Sequence, residues 1–156
     1  MKTSDVLSDQ DIVNIVQEYY AAVDSRDADR LAALYLDEAT TTLKFNADPA
    51  IVTVDAIKEF TAGFSQAVAG IRHTMIEIWA NPLLGNIVPI DLEPSRTNAR
   101  TVVSTATPVY SFFNGSSDLA LPAASVFTID IKSRKFISVH NLFDIGQVYS
   151  ALKKEQ

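Results

Sequence analysis

The chain has 156 residues, a formal net charge of −6, two histidines and no cysteine. That length fits one domain, residues 1–156, with a hydrophobic core of its own. Without cysteine there is no disulfide, no thiolate nucleophile and no thiolate metal site. Lysine and arginine are scattered, apart from the pairs Arg134-Lys135 and Lys153-Lys154. Phosphate backbones and anionic headgroups call for a basic stripe, so neither nucleic acid nor membrane is expected as a partner.

Met1 to Asp5 leads into a polar helix with no apolar signal core, and no apolar run approaches a membrane span, so the expected location is cytoplasmic. Ser8 reads as an N-cap with Asp11 three residues on. Ile12, Val13, Val16, Tyr19, Tyr20 and Val23 then recur at helical spacing, to an end near Asp24-Ser25-Arg26. Asp27 starts a shorter helix carrying Leu31, Leu34 and Tyr35. Thr40 to Phe45 is β-branched and reads as a strand, broken by Asn46-Ala47-Asp48-Pro49. Thr53 caps a third helix, with Ile57, Phe60, Phe64 and Val68 as its stripe, and Gly70 stops it.

The second half reads as β-structure. Ile71 to Ala80 is a strand, and 81–97 a long loop with an edge segment at Ile87-Val88. Asn98 to Phe113 is a long strand marked by Pro108. Asn114-Gly115-Ser116 matches a glycosylation sequon but reads as a hairpin turn. Ala123 to Ile131 and Lys135 to Leu142 are the last strands, with a frayed helix or tail from Asp144. Helices first and hairpins after give an α+β fold. Ile76 and Ile78 alternate with Met75 and Trp79, and Val126 with Phe127, so the sheet is apolar on both faces. The helices cover one face. A second copy of the chain is expected on the other, making a homodimer.

There is no glycine-rich phosphate loop, no Gly-x-Ser-x-Gly elbow and no His/carboxylate set at metal-ligand spacing, so neither cofactor nor metal is expected. By alternation His73 shares a face with Ile71, Met75, Glu77 and Trp79. A histidine in such company is either a core residue bonded to a backbone carbonyl or a base held neutral. Asp24 closes a helix at the end where the dipole disfavours an acid, which asks for another reason or a solvated loop. On the last strand either His140 or Asn141 points inward. Tyr110 and Phe112 share a face with Arg100, Val102 and Ser104. Tyr110 is either an ordinary core tyrosine or a donor to a carbonyl or enolate oxygen. Glu77 and Asp130 read as surface positions.

The order of elements, the helix exit Val23-Asp24-Ser25-Arg26-Asp27-Ala28-Asp29-Arg30-Leu31 and the strand Arg72-His73-Thr74 resemble the nuclear transport factor 2-like superfamily. That group includes scytalone dehydratase, ketosteroid isomerase, limonene epoxide hydrolase and SnoaL-like polyketide cyclases. The resemblance covers roughly Gln10 to Leu152. It implies a cone-shaped, curved antiparallel sheet packed with three N-terminal helices, an α+β barrel around an apolar pocket. It pairs Asp24 with His73, and places Ser125 near a substrate-binding asparagine. Tyr20, Arg100, Phe112, Asn141 and Trp79 complete the expected pocket wall, with Tyr110 as oxyanion donor. The departures are specific. The second dehydratase histidine falls near Val109 or Tyr110, the tyrosine before the aspartate is Val23, and Arg100 has Val102 where an epoxide hydrolase relay needs an acid. What the resemblance leaves is a cofactor-independent isomerase, cyclase or dehydratase acting on a small, hydrophobic, carbonyl-bearing or polyketide-like molecule. The alternatives are a non-catalytic ligand-binding or dimeric scaffold domain, and epoxide opening with Glu77 or Asp130 turned inward.

Overall fold

The computed structural model describes residues 7–80 and 98–154. Helix α1, Asp9–Ser25, starts in a reciprocal capping box: the Asp11 backbone N–H donates to Ser8 Oγ, and the Ser8 backbone N–H donates to the Asp11 carboxylate at 3.0 Å. It buries Ile12, Val16, Tyr19 and Tyr20, and ends at Arg26 in the left-handed region (φ 57°). Asp27 caps α2, Ala28–Ala32, by accepting from the Arg30 N–H. Strands β1, Thr42–Phe45, and β2, Ile51–Val52, precede α3, Val54–Ala67, which Thr53 caps. Then come β3, Gly70–Trp79, β4, Ala99–Ser111, β5, Leu119–Ala120, β6, Ala123–Asp130, and β7, Lys135–Leu142. The expected frayed tail is an ordered helix, α4, Ile145–Leu152. It docks because Ile145 and Val148 are buried and Asn114 Nδ2 donates to the Ala151 carbonyl at 3.0 Å. The expected loop at 81–97, with its Ile87-Val88 edge segment, lies outside the described residues.

The fold is α+β, with an open sheet in the order β2-β1-β7-β6-β4-β3 and β5 paired to β4. One joint corrects the antiparallel expectation: β1 runs parallel to β7, from Thr42 opposite Ser138 to Phe45 opposite Asn141. A parallel pair needs a long connection, and α3 plus the whole later meander supplies it. Bulges between Thr74 and Glu77 and between Thr128 and Ile129 bend the sheet.

The helices lie on the inner face. There β4 buries Val102, Ser104, Ala106 and Tyr110, and β6 buries Ser125, Phe127 and Ile129. Phe127 is fully buried between Tyr19 and Phe136, with ring centroids 5.1 and 5.3 Å away. Each such side chain contributes roughly 1.5–3 kcal/mol by leaving water. The bulge in β3 overturns one alternation. Ile71 and His73 face inward, opposite Tyr110 and Pro108. Met75 takes φ 51° and is 81% exposed, so the parity switches. Beyond it Ile78 pairs with inward Ser104, while Trp79 pairs with Val103 on the outer face and is 45% exposed.

Candidate active site

β3 ends the sheet, so one row of its backbone groups has no strand to pair with. His73 stands opposite Pro108, which has no N–H and whose carbonyl accepts from Leu121 N–H on its other side. The His73 N–H therefore points off the sheet edge. The last turn of α1 meets it there: Asp24 Oδ1 and Oδ2 accept from this N–H at 3.1 and 3.0 Å. Asp24 Oδ1 also lies 2.6 Å from His73 Nδ1. Two donors from one residue thus hold a carboxylate at a helix end that would otherwise repel it. The side chains are 10% (His73) and 30% (Asp24) exposed.

An ionised carboxylate only accepts, so Nδ1 must carry the imidazole proton. The neutral ring then bears its lone pair on Nε2. Hydrogen bonding to Asp24 fixes both the tautomer and the ring plane. Tyr20 packs on the imidazole with centroids 4.7 Å apart, and its hydroxyl donates to Ser104 Oγ at 2.9 Å. Ser104 in turn donates to the Glu77 carbonyl at 2.7 Å. Burial pushes the Tyr20 hydroxyl above its usual range.

His73 opens onto a cavity between α1, α3 and the inner face of the sheet. Its lining is mostly apolar with a few polar groups, the composition usual for small-molecule sites. Tyr19, Tyr20, Phe45, Phe60, Phe64 and Tyr110 contribute aromatic walls, and among the described residues His73 is the one lining side chain other than tyrosine that titrates. At the polar floor Ser125 Oγ donates to Asn141 Oδ1 at 2.7 Å, and Asn141 Nδ2 reaches Tyr19 Oη at 3.5 Å. Burial raises the Tyr19 hydroxyl to about 12 and holds the Tyr110 hydroxyl well above its usual range. Both therefore stay protonated donors near neutral pH.

Of the residues singled out from sequence, His73, Tyr110, Tyr20, Ser125 and Asn141 line this cavity, with Asp24 behind the imidazole. Asn141, not His140, points inward; His140 Nε2 instead lies 2.9 Å from the Asn46 carbonyl oxygen. Three expectations go elsewhere. Arg100 donates to the Leu7 carbonyl at 3.0 Å and to Asp9 at 2.8 Å, tying down the start of α1. Phe112 is buried with Leu121 and Val148 behind Tyr110 and does not line the cavity. Trp79 lies on the outer face for the reason given by the bulge. Glu77 is exposed and Asp130 accepts from the Ser133 N–H, so neither supplies the inward acid that epoxide opening requires. Sequence periodicity missed Phe45, Phe60, Phe64 and Phe143 as wall residues. Their helical or β-spacing reads only as core, and the cavity is made by what they fail to fill. Among the described residues no three of His, Cys, Asp and Glu gather as metal ligands, and no helix is long and apolar enough to cross a membrane.

Residues 16–130 match the family model described as the SnoaL-like domain. A comparison with curated proteins found no match. Among solved structures, a candidate scytalone dehydratase from Novosphingobium aromaticivorans is 17% identical, with a TM-score of 0.65 over 86% of this chain and 82% of its own. A candidate SnoaL-like polyketide cyclase from Shewanella denitrificans is 14% identical, with a TM-score of 0.66 over 92% and 97%. A protein with a ketosteroid isomerase-like fold from Catenulispora acidiphila, solved in complex with trimethylamine, is 14% identical, with a TM-score of 0.60 over 81% and 82%. At such identities the likeness is one of fold.

Proposed function

The chain belongs to the SnoaL-like domain family, and from that premise we propose that it is a cytoplasmic, cofactor-independent acid–base enzyme. Its substrate is a small, hydrophobic, carbonyl-bearing or polyketide-like molecule held in the aromatic-walled cavity. The reaction is an isomerisation, cyclisation or dehydration. The observation that carries this reading is the His73–Asp24 pair: Nδ1 held at 2.6 Å from a carboxylate, on a ring that lines the cavity.

The steps follow from the tautomer. Nε2 takes a proton from the carbon next to the substrate carbonyl. Asp24 stabilises the imidazolium that results. The C–H electron pair moves into an enolate, and the Tyr110 hydroxyl donates to its oxygen. Because burial holds that hydroxyl protonated, it stays a hydrogen-bond donor through the step. The imidazolium then returns its proton, to another carbon for isomerisation or to a departing hydroxyl for dehydration. An acid–base group of this kind contributes about a hundred- to ten-thousandfold.

Exchange of the α-protons of the aromatic ketone β-tetralone in heavy water reads the first step alone. Loss of a hydroxyl from a hydroxytetralone reads the second. His73→Ala is expected to lower both by about a hundredfold or more. Wild-type rates in that variant would remove the assignment.

A second reading, a non-catalytic ligand-binding domain, is favoured by Pro108. It puts an apolar ring opposite His73, and among the described residues the cavity lining holds no titratable side chain besides His73 and its tyrosines. Saturable binding of β-tetralone by calorimetry with no exchange would support it. The homodimer also belongs to the proposal. Trp79, Val103 and Val126 stand side by side across β3, β4 and β6 on the outer face. A solution mass of twice 17.1 kDa by light scattering is expected.

A further inference from the structure

Resting on the acid–base reading above, we propose that Arg26 is a positioning residue for the Asp24–His73 pair. Arg26 ends α1 in the left-handed region at φ 57°, with its N–H donating to the Val23 carbonyl at 3.0 Å. Glycine or asparagine ordinarily takes that place, because a Cβ is disfavoured there. The side chain gives arginine a reason to be present. Its Nη1 donates to the Val68 carbonyl at 2.8 Å and to the Ser65 carbonyl at 3.4 Å. These are carbonyls at the C-terminal end of α3, where a cation also complements the helix dipole.

The location of this clamp matters. Arg26 lies two residues after Asp24, and Val68 lies five residues before His73. Between Val68 and His73 the chain is already fixed: Ala69 N–H donates to the Ser111 carbonyl at 2.8 Å, and Gly70 onward is paired to β4. The guanidinium therefore ties the segment that carries the acid to the segment that carries the imidazole. The pair's own contacts, 2.6 Å to the ring and 3.0–3.1 Å to the backbone, form the second point of the same registration. With Tyr20 also packed on the imidazole 4.7 Å away, the guanidinium adds a polar tie that limits pivoting of the α1 exit about β3. Misplacing a catalytic group by about 1 Å costs on the order of a hundredfold in rate.

The test uses the full chain and two readouts. Long-range proton–nitrogen NMR of the imidazole reads the His73 tautomer without any substrate, and β-tetralone exchange reads the chemistry. Arg26→Gly relieves the positive φ and removes both donors. It is expected to convert His73 from a single Nδ1–H tautomer to a mixture, and to lower the limiting exchange rate by about ten- to a hundredfold with KM unchanged. Arg26→Lys keeps a charged donor and should recover most of both. If Arg26→Gly does not fold, Arg26→Met, which keeps the stem without the donors, is read in the same way. A folded donor-less variant with a single Nδ1–H tautomer and the wild-type rate would overturn the proposal, leaving Arg26 as a surface tether. The tautomer measurement stands even if His73→Ala exchanges at the wild-type rate, so failure of the enzymatic reading and failure of the positioning role are separable.

Discussion

Replacing Asp24 with asparagine separates its structural contribution from its chemical one. The carboxylate accepts from the His73 N–H with both oxygens and from the ring with one. Asparagine keeps the shape but has a single acceptor oxygen, so its amide nitrogen must face either the backbone N–H or Nδ1. If it faces Nδ1, the imidazole proton is forced to Nε2, and the ring presents a donor to the cavity instead of a base. If it faces the backbone N–H, Nδ1 keeps a neutral acceptor and loses the charge that stabilises imidazolium. A hydrogen bond to a charged group is worth about 1.5–3 kcal/mol. Asp24 is 30% exposed, so solvent screening brings the expected loss to about 1–2 kcal/mol. At about 2–4 °C per kcal/mol for a chain of this size, the melting temperature should fall by about 2–8 °C. Exchange of β-tetralone should fall far more, by about a hundred- to ten-thousandfold. Thermal unfolding and exchange measured on one preparation give both numbers. An Asp24→Asn variant that melts lower but exchanges at the wild-type rate would refute the chemical role and leave Asp24 as a cap on a strand edge.

Tyr19 is raised from 10.0 to about 12 chiefly by burial, so the folded state holds this proton more tightly than the unfolded one. Its contribution, about 2–3 kcal/mol, is complete below pH ~10 and is lost as pH rises through ~12. Urea midpoints across that window should fall in the wild type and fall less steeply in Tyr19→Phe; equal slopes would contradict the linkage. Met75 holds φ 51° with its side chain 81% exposed, so Met75→Gly should leave stability unchanged or raise it by about 1 kcal/mol, while Met75→Ile should lower it. Equal denaturant midpoints for the two variants would count against a strained bulge. The Tyr35 hydroxyl is buried without a hydrogen bond among the described residues, although it lies near Tyr19. Tyr35→Phe should therefore be neutral or stabilise by about 1 kcal/mol, and a clear loss would mean that the two hydroxyls are bonded.

Local signals in the sequence carried far. The Ser8/Asp11 capping box, the Asp27 and Thr53 caps and the ends of β7 are all legible, because each depends on neighbours within four residues. The parallel β1–β7 joint was not, since nothing local says which strand a distant strand will meet. The inward face of β3 was only half legible. Alternation places Ile71 and His73 correctly, then fails at a bulge that inserts a residue without any glycine to announce it. That failure put Trp79 on the wrong face. Arg100 keeps the inward parity of β4, but sits where the sheet passes under the start of α1, so it finds Asp9 and not the cavity. The Asp24–His73 contact spans 49 positions and was beyond periodicity. Only resemblance to a family supplied it. Asn141 against His140 was a choice between two faces, decided by which face α1 and α3 cover.

Chemical rescue tests most directly the claim that His73 Nε2 is the base offered to the cavity. Removing the imidazole in His73→Ala leaves a space its size beside Tyr20, within reach of Asp24. Free imidazole added to that variant should restore α-proton exchange of β-tetralone in a saturable way, and should restore little in the Asp24→Ala, His73→Ala double variant. Exchange that is undiminished in His73→Ala, or that imidazole accelerates no more than it accelerates the reaction in buffer, would contradict it.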